Sequence, residues 1–331
     1  MENQFKKILE IVNKFRNVRV LIVGDLMLDE YILGTVDRIS PEAPVPILDV
    51  KKITYSLGGA ANVAYNIKAL KGKVILTGVV GRDDQGKLFR KIVKERGIRT
   101  REIIIDPKRM TTLKSRVIAT NQQITRIDLE DRKSIDSTIE KQIINFVAKK
   151  IKDIDIILIS DYAKGVVTFK LSQNIIKLAQ DNHIFCLVDP KGHDYLKYQG
   201  CNIITPNEGE LAQVLKIQIE NENKFLWAGR ALLSKLKCDQ VLVTRGVKGM
   251  TLFGKNGTLE HCPAVNTQGK ALDVSGAGDT AIAVVALSLM AGATLKQAMM
   301  MANHACGIVV AKRGTAMVLP TELTESLKKV F

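Results

Sequence analysis

Ile154-Asp-Ile-Ile-Leu-Ile159, the stretch 168–180 with apolar residues at helical spacing, and Ile184-Phe-Cys-Leu-Val188 read in order as strand, helix, strand. Continuous apolar runs of this length suit strands buried on both faces, the condition of strands in a parallel sheet covered by helices. The same alternation continues outward. Further strand-like runs stand at 18–23, 74–80, 202–204 and 241–244, with helical patterns at 60–70, 84–96, 135–150 and 224–236. The chain closes with two apolar helices, 278–291 and 295–311, and a short tail. The expected fold is α/β: a doubly wound, largely parallel sheet with helices on both faces.

Two stretches break this rhythm. Residues 31–56 hold strand-like pieces with Pro41, Pro44 and Pro46 and no helical pattern, and 111–130 reads as two β segments around Asn121 and Gln122. Both leave the α/β rhythm at a strand's end, where open sheets bind ligands. They are expected to form a small β-sheet lid, so the chain 1–331 is read as one domain carrying a lid of about 31–56 and 111–130.

Composition narrows the class. Of 331 residues, 46% are hydrophobic and 25% charged, which is globular, and only 5% are aromatic, so aliphatic residues must build the core. The apolar run 281–291, interrupted only by Ser288, is too short to span a bilayer, which needs about 20 residues. The first fifteen residues mix charge and apolarity without a signal-peptide core. A cytoplasmic protein with no membrane partner is expected. Five widely spaced cysteines, with no C-x-x-C pair, read as free thiols. The net charge of +15 is spread over predicted helix surfaces rather than gathered on one face between aromatics, so no nucleic-acid partner is expected. The same charge suits an enzyme of anionic substrates.

Two stretches mimic a phosphate-binding P-loop. Gly81-Arg-Asp-Asp-Gln-Gly86-Lys87 and Gly249-Met-Thr-Leu-Phe-Gly254-Lys255 have its spacing, but Leu88 and Asn256 replace the Mg²⁺-binding hydroxyl residue. The second runs into Asn256-Gly257, a hairpin-turn dipeptide. More telling is Asp273-Val-Ser-Gly-Ala-Gly-Asp279-Thr280, which leads into an apolar helix. Small residues at Gly276, Ala277 and Gly278 let a phosphate approach the free amides of a helix's first turn. Asp279 in that turn could take a proton from an attacking hydroxyl. Spacing alone is equally satisfied by a plain helix start, since Asp is favoured there.

Asp273–Asp279 resembles the C-terminal signature of the ribokinase-like sugar kinases, the phosphofructokinase-B family, in which the last Asp is the catalytic base. Four further motifs follow that family's order: Gly24 with Asp29 five residues on, Gly58-Gly59-Ala-Ala-Asn62, Asn207-Glu-Gly-Glu210, and Thr244-Arg245-Gly246-Val-Lys-Gly249. Within the family, Gly24-Asp-Leu-Met-Leu-Asp29, Arg38-Ile-Ser-Pro-Glu-Ala-Pro-Val-Pro46, Asn121-Gln-Gln123 with Arg126-Ile-Asp128, Ser160-Asp-Tyr-Ala-Lys-Gly165 and Asp189-Pro-Lys-Gly192 resemble heptose 7-phosphate kinases. Many of those carry a C-terminal adenylyltransferase with an H-x-G-H motif. That motif is missing here, so the resemblance is to the kinase half.

The resemblance implies ATP-dependent phosphorylation of the C1 hydroxyl of D-glycero-β-D-manno-heptose 7-phosphate, on the way to ADP-heptose for lipopolysaccharide. Asp279 is expected as base, with Gly276, Ala277 and Gly278 as the anion hole. ATP is expected at Asn207, Glu210, Lys191, Thr244, Arg245, Gly246, Gly249 and Asn303, the last with its neighbour His304. Glu210 is expected to act on Mg²⁺ through water, and a monovalent cation is compatible with the resemblance. The sugar is expected at Asp25, Asp29, Gly58, Gly59, Asn62, Gln123, Asp161 and Lys164. The basic lid residues Arg38, Lys114, Arg116 and Arg126 are expected to include the group that meets the distal phosphate. A homodimer through the lid is expected, because it would hide free sheet edges. Two alternatives stand beside this: a kinase of another sugar or sugar phosphate, and a non-catalytic nucleotide-binding regulator.

Overall fold

The apolar runs become strands in a computed structural model of the chain, which describes residues 2–120, 122–265, 273–312 and 314–330. The strands are β1 Arg19–Gly24, β2 Leu26–Ile39, β3 Pro46–Gly59, β4 Lys73–Gly81, β5 Ile103–Asp106, β6 Thr112–Ala119, β7 Gln122–Leu129, β8 Ile156–Ser160, β9 Phe185–Asp189, β10 Ile203–Ile204, β11 Gln240–Thr244, β12 Met250–Gly254 and β13 Leu259–Cys262. The helices are α1 Glu2–Lys14, α2 Ala60–Ala69, α3 Asp84–Glu95, α4 Ser137–Lys150, α5 Phe169–Asp181, α6 Glu208–Leu215, α7 Glu222–Leu236, α8 Ala277–Met290, α9 Leu295–Val310 and α10 Pro320–Lys328.

The main sheet has nine strands in the order β13-β12-β11-β10-β9-β8-β1-β4-β5. All its pairs are parallel except β11–β12 and β12–β13. Alternate residues of β1 serve opposite faces. Val20 and Ile22 join the core under α2, α8 and α9, while Leu21 and Val23 join the core under α4, α5 and α7. Each such side chain, fully buried, stabilises by about 1.5–3 kcal/mol, and a one-residue slip would swap the two sets.

Strand order reverses at β1, which pairs with β4 on one side and β8 on the other. A doubly wound sheet opens a ligand crevice at the carboxyl ends of its strands at such a point. The second sheet, in the order β3-β2-β6-β7, covers that side. It grows directly from the main sheet: only Asp25 separates β1 from β2, and β3 runs straight into α2. The lid strands therefore start at Leu26 and reach Gly59, beyond the expected 31–56. Asn121 lies outside the described residues.

Six described elements have no counterpart in the periodic reading: α1, β5, α6, β12, β13 and α10. Near the start of the chain, α1 (Glu2–Lys14) buries Ile8, Ile11 and Val12, an i, i+3, i+4 stripe, and leads into buried Phe15. The tail is α10, packed on α9 and α1. β5 is a four-residue edge strand and α6 only two turns long. The two P-loop mimics are the start of α3, capped by Asp83, and the antiparallel strand β12. No described helix is long and apolar enough to cross a membrane.

Candidate active site

The first turn of α8 lies at the carboxyl edge of the main sheet. Residues 280–288 of this helix are buried all round, and its small side chains let α2 and α9 pack closely against it, so Asp279 stands on a rigid support. Its carboxylate is buried and accepts one hydrogen bond on each oxygen: Asn62 Nδ2 donates to Oδ2 at 2.6 Å, and the Tyr162 hydroxyl donates to Oδ1. Burial pushes its pKa up to about 6, against the pull of those two donors and with a smaller upward push from Asp29.

Of the three amides expected as an anion hole, that of Ala277 closes a turn onto the Val274 carbonyl at 3.3 Å. The amides of Gly276 and Gly278 have no backbone acceptor among the described residues. Gly276 sits at φ +78°, in the left-handed region, and a Cβ there would lie 2.9 Å from Asn62 Nδ2. A Cβ on Gly278 would meet nothing within 4 Å.

Two adjoining cavities share this turn. The smaller, about 180 Å³, is lined by Asp189, Lys191, Asn207, Glu210, Gly278 and Asp279 among others. The larger, about 860 Å³, runs from Thr244, Gly246 and Gly249 to Ala277, Asn303 and Cys306. Asn207 and Glu210 form the capping box of α6: Asn207 Oδ1 accepts from the Glu210 amide at 2.8 Å, and Glu210 Oε2 accepts from the Asn207 amide at 2.9 Å. The other Glu210 oxygen pairs with Lys191 Nζ at 2.5 Å. Asp189 is half-buried; burial and the nearby Asp279 and Glu210 charges push its pKa up. No group of three His, Cys, Asp or Glu side chains among the described residues could hold a metal ion directly.

On the lid side, Asp29 Oδ1 accepts from Arg116 Nη1 at 2.5 Å. Gly58 leaves room for this carboxylate, since a Cβ there would lie 2.6 Å from Asp29 Oδ2. Gly59 follows at the mouth of α2. In β6 and β7, Lys114 stands opposite Asp128 and Arg116 opposite Arg126. Lys114 pairs with Asp128 and Glu130 at 3.2 and 3.6 Å, and half-exposed Arg126 pairs with Asp128 at 2.9 Å. Gln123 is exposed near the far end of β7.

Several expected contacts are already occupied by the protein. Asp25 is fully buried and accepts the amides of Tyr162, Lys164 and Val166 at 2.7, 3.1 and 3.1 Å, so it holds a loop rather than a sugar hydroxyl. Burial, with Asp161 next in effect, pushes its carboxyl up to about 6 against those amides. Asp161 accepts from the Lys197 ammonium, from the Tyr198 hydroxyl at 2.6 Å and from the Ala163 amide at 2.6 Å. Lys164 pairs with Glu130 at 2.6 Å.

Arg245 lies over the Phe225 ring and bonds to Glu208 and Glu222, and it does not line the large cavity. His304 bonds to Ser326 on α10 at 2.8 Å and does not line the large cavity. Arg38 stands nine residues beyond Asp29 on β2, about 30 Å of strand away, out of reach of a sugar held at Asp29 in the same chain. Asn62, expected against the sugar, spends its amide on Asp279.

Tyr162 and Asp189 stand within stretches that carry the resemblance but have no role assigned to them there. Asp189 ends β9 and Tyr162 lies two residues past β8, both at the ligand edge of the sheet, and that position is the signal for them.

Comparison with known proteins gives the family and the fold. The pattern of the pfkB family carbohydrate kinases matches residues 18–322. The bifunctional protein HldE of Helicobacter pylori strain J99 is 45% identical over 305 residues, covering 92% of this chain and 65% of that protein. The bifunctional protein HldE of Trichlorobacter lovleyi is 42% identical over 318 residues, covering 96% of this chain and 64% of that protein. The chain thus spans just under two thirds of the length of these relatives. In fold it is similar to Arabidopsis thaliana ribokinase complexed with ribose and ATP, at TM-score 0.75 and 20% identity over 94% of this chain and 99% of that one. Escherichia coli phosphofructokinase-2 in complex with potassium gives TM-score 0.78 at 18% identity over 95% and 99%. With the family pattern running from β1 into α10, the chain belongs to the pfkB family of carbohydrate kinases.

Proposed function

We propose that this kinase transfers the γ-phosphoryl group of ATP to the C1 hydroxyl of D-glycero-β-D-manno-heptose 7-phosphate, giving the 1,7-bisphosphate used for ADP-heptose and lipopolysaccharide. One observation carries the reading: a buried carboxylate, Asp279, stands beside two helix-start amides with no backbone acceptor among the described residues, where a nucleotide-sized cavity adjoins a smaller polar one. In the transfer the C1 oxygen bonds to the γ-phosphorus as the bond to ADP breaks. Asp279 takes the hydroxyl proton, and the Gly276 and Gly278 amides face the moving charge. The large cavity takes the nucleoside, with Asn207 and Thr244 at its phosphate end. Asp189 and Glu210 would hold Mg²⁺ through water, consistent with carboxylates that line one small cavity without forming a direct three-ligand cluster. That ion, when bound, offsets phosphate charge. The heptose assignment rests on the resemblance of the Gly24–Asp29, Arg38–Pro46 and Ser160–Gly165 stretches.

The lid supports a phosphorylated sugar. Arg116 and Arg126 stand directly opposite each other, their like charges offset by Asp29 and Asp128. A phosphate bound there would share their guanidinium donors with those carboxylates. Arg126→Ala is expected to lower kcat/KM on the 7-phosphate by about 10²-fold and to matter far less for the unphosphorylated heptose. Arg116→Ala should reduce both, because Arg116 also holds Asp29. Equal losses for Arg126→Ala on the two sugars would make it structural.

A distal phosphate gripped at the lid, with the ring at Asp29, leaves the anomeric end pointing at Asp279. Coupled ADP release across heptose, hexose and pentose phosphates is expected to peak with the heptose 7-phosphate. Phosphorus NMR of the product should show a new phosphate coupled to H1, in one anomer. A phosphate on another carbon would overturn the assignment. The proposed homodimer through the lid has support from the edge strands β3 and β7 and from exposed Ile53, Tyr55 and Ile127 on the lid.

A further inference from the structure

We infer that Tyr162 is the positioning residue that holds Asp279 ionised and oriented for proton abstraction, a role that rests on Asp279 being the base. Tyr162 follows β8, and its own amide donates to Asp25 Oδ2 at 2.7 Å. Asp25 takes two further amides of the same loop. Three hydrogen bonds to one buried carboxylate thus fix where the tyrosine ring stands. Its hydroxyl donates to Asp279 Oδ1 and has no other partner among the described residues.

Asn62 serves the opposite oxygen from α2. Two donors from separate elements fix the plane of the carboxylate, and each oxygen keeps one lone pair for another proton. A donor to a carboxylate also favours its charged form. The surrounding charges work against ionisation. Asp29, from β2 and paired with Arg116, raises the Asp279 pKa, and Asp189, at the end of β9 near Lys191 and Glu210, is electrostatically linked to it. From α9, the Cys306 thiol donates to the Ala277 carbonyl rather than to Asp279. Only Tyr162 and Asn62 act in favour of the charged form. Tyr162 itself stays protonated, because burial and then the Asp279 charge drive its pKa well above that of a free tyrosine.

Profiles of kcat/KM against pH test this on the intact chain with ATP and the heptose 7-phosphate. The wild-type acid limb is expected near pH 6, from the Asp279 value of about 6. Tyr162→Phe, which keeps the ring, is expected to move that limb up by about one pH unit with little change in the KM for ATP. Replacing Tyr162 by 3,5-difluorotyrosine, a stronger donor, should move it down. An acid limb that stays in place in both variants, with Asp279→Asn nearly inactive, would overturn the role of Tyr162 and leave the base standing. An active Asp279→Asn would instead overturn the reading of the base on which this one rests. A uniform loss at every pH in Tyr162→Phe would mark the tyrosine as structural and also overturn the proposal.

Discussion

Asp279→Asn is expected to lower kcat by about 10²–10⁴-fold, the range a positioned general base contributes. The change keeps the side chain's shape, and the large cavity is lined by other elements, so ATP binding should survive. Stability should move in the opposite direction to activity. The folded-state pKa of Asp279 is about 6, against an ordinary value of 3.8. The folded chain therefore holds this proton more tightly than the unfolded chain, and stability is lost as pH rises from about 4 through 6. Ionised Asp279 costs about 3 kcal/mol at neutral pH by this linkage. Asn carries no such charge, although one of its two donors would then face an amide N–H rather than an oxygen, which removes part of the gain. Melting curves at pH 5 and pH 7.5 should show wild type losing stability relative to Asp279→Asn across that interval. Near-normal turnover in the variant would remove Asp279 from the chemistry.

Such a site on α8 is legible through the resemblance of Asp273–Asp279 to a family signature, since small residues, a helix start and an acid within seven positions fit a plain helix start equally well. The sheet is legible from pattern: strands buried on both faces must be apolar throughout, as 156–159 and 184–188 are. Short or marginal elements are not legible in this way. β5 has four residues, and α6 owes its two turns to a capping box made by Asn207 and Glu210, the residues the resemblance places at the nucleotide.

Charged residues near strand ends are where expectation and structure differ most. Asp25, Asp161, Lys164 and Arg245 all stand where ligand contacts are expected, and all four spend their charge inside the protein. The chemistry that binds a phosphate or a hydroxyl is the chemistry that ties down a loop. Three amides from residues 162–166 decide the matter for Asp25, and they come from a segment 137 or more positions away. Tyr162 has no role assigned to it from sequence for the converse reason. A tyrosine carries no charge to mark it, and its importance comes entirely from an acid 117 residues further along the chain.

The two glycines before Asp279 should respond to the same substitution in opposite ways. Gly278→Ala adds a methyl group where nothing lies within 4 Å, at a residue that lines both cavities. No packing is disturbed, and alanine is the better helix former by up to about 1 kcal/mol, so the melting temperature should hold or rise slightly. Activity should nevertheless fall by about 10²-fold, because the methyl would stand in the space through which the phosphoryl group approaches the Gly278 amide. Gly276→Ala meets a different obstacle. Its backbone is left-handed at φ +78°, which costs about 1–2 kcal/mol with a side chain, and its Cβ would lie 2.9 Å from Asn62 Nδ2. Asn62 would have to move, and with it one of the two donors on Asp279. Gly276→Ala should therefore melt earlier and show an acid limb displaced upward, whereas Gly278→Ala should keep the wild-type limb at a lower plateau. Full activity in Gly278→Ala would place phosphoryl transfer away from this turn.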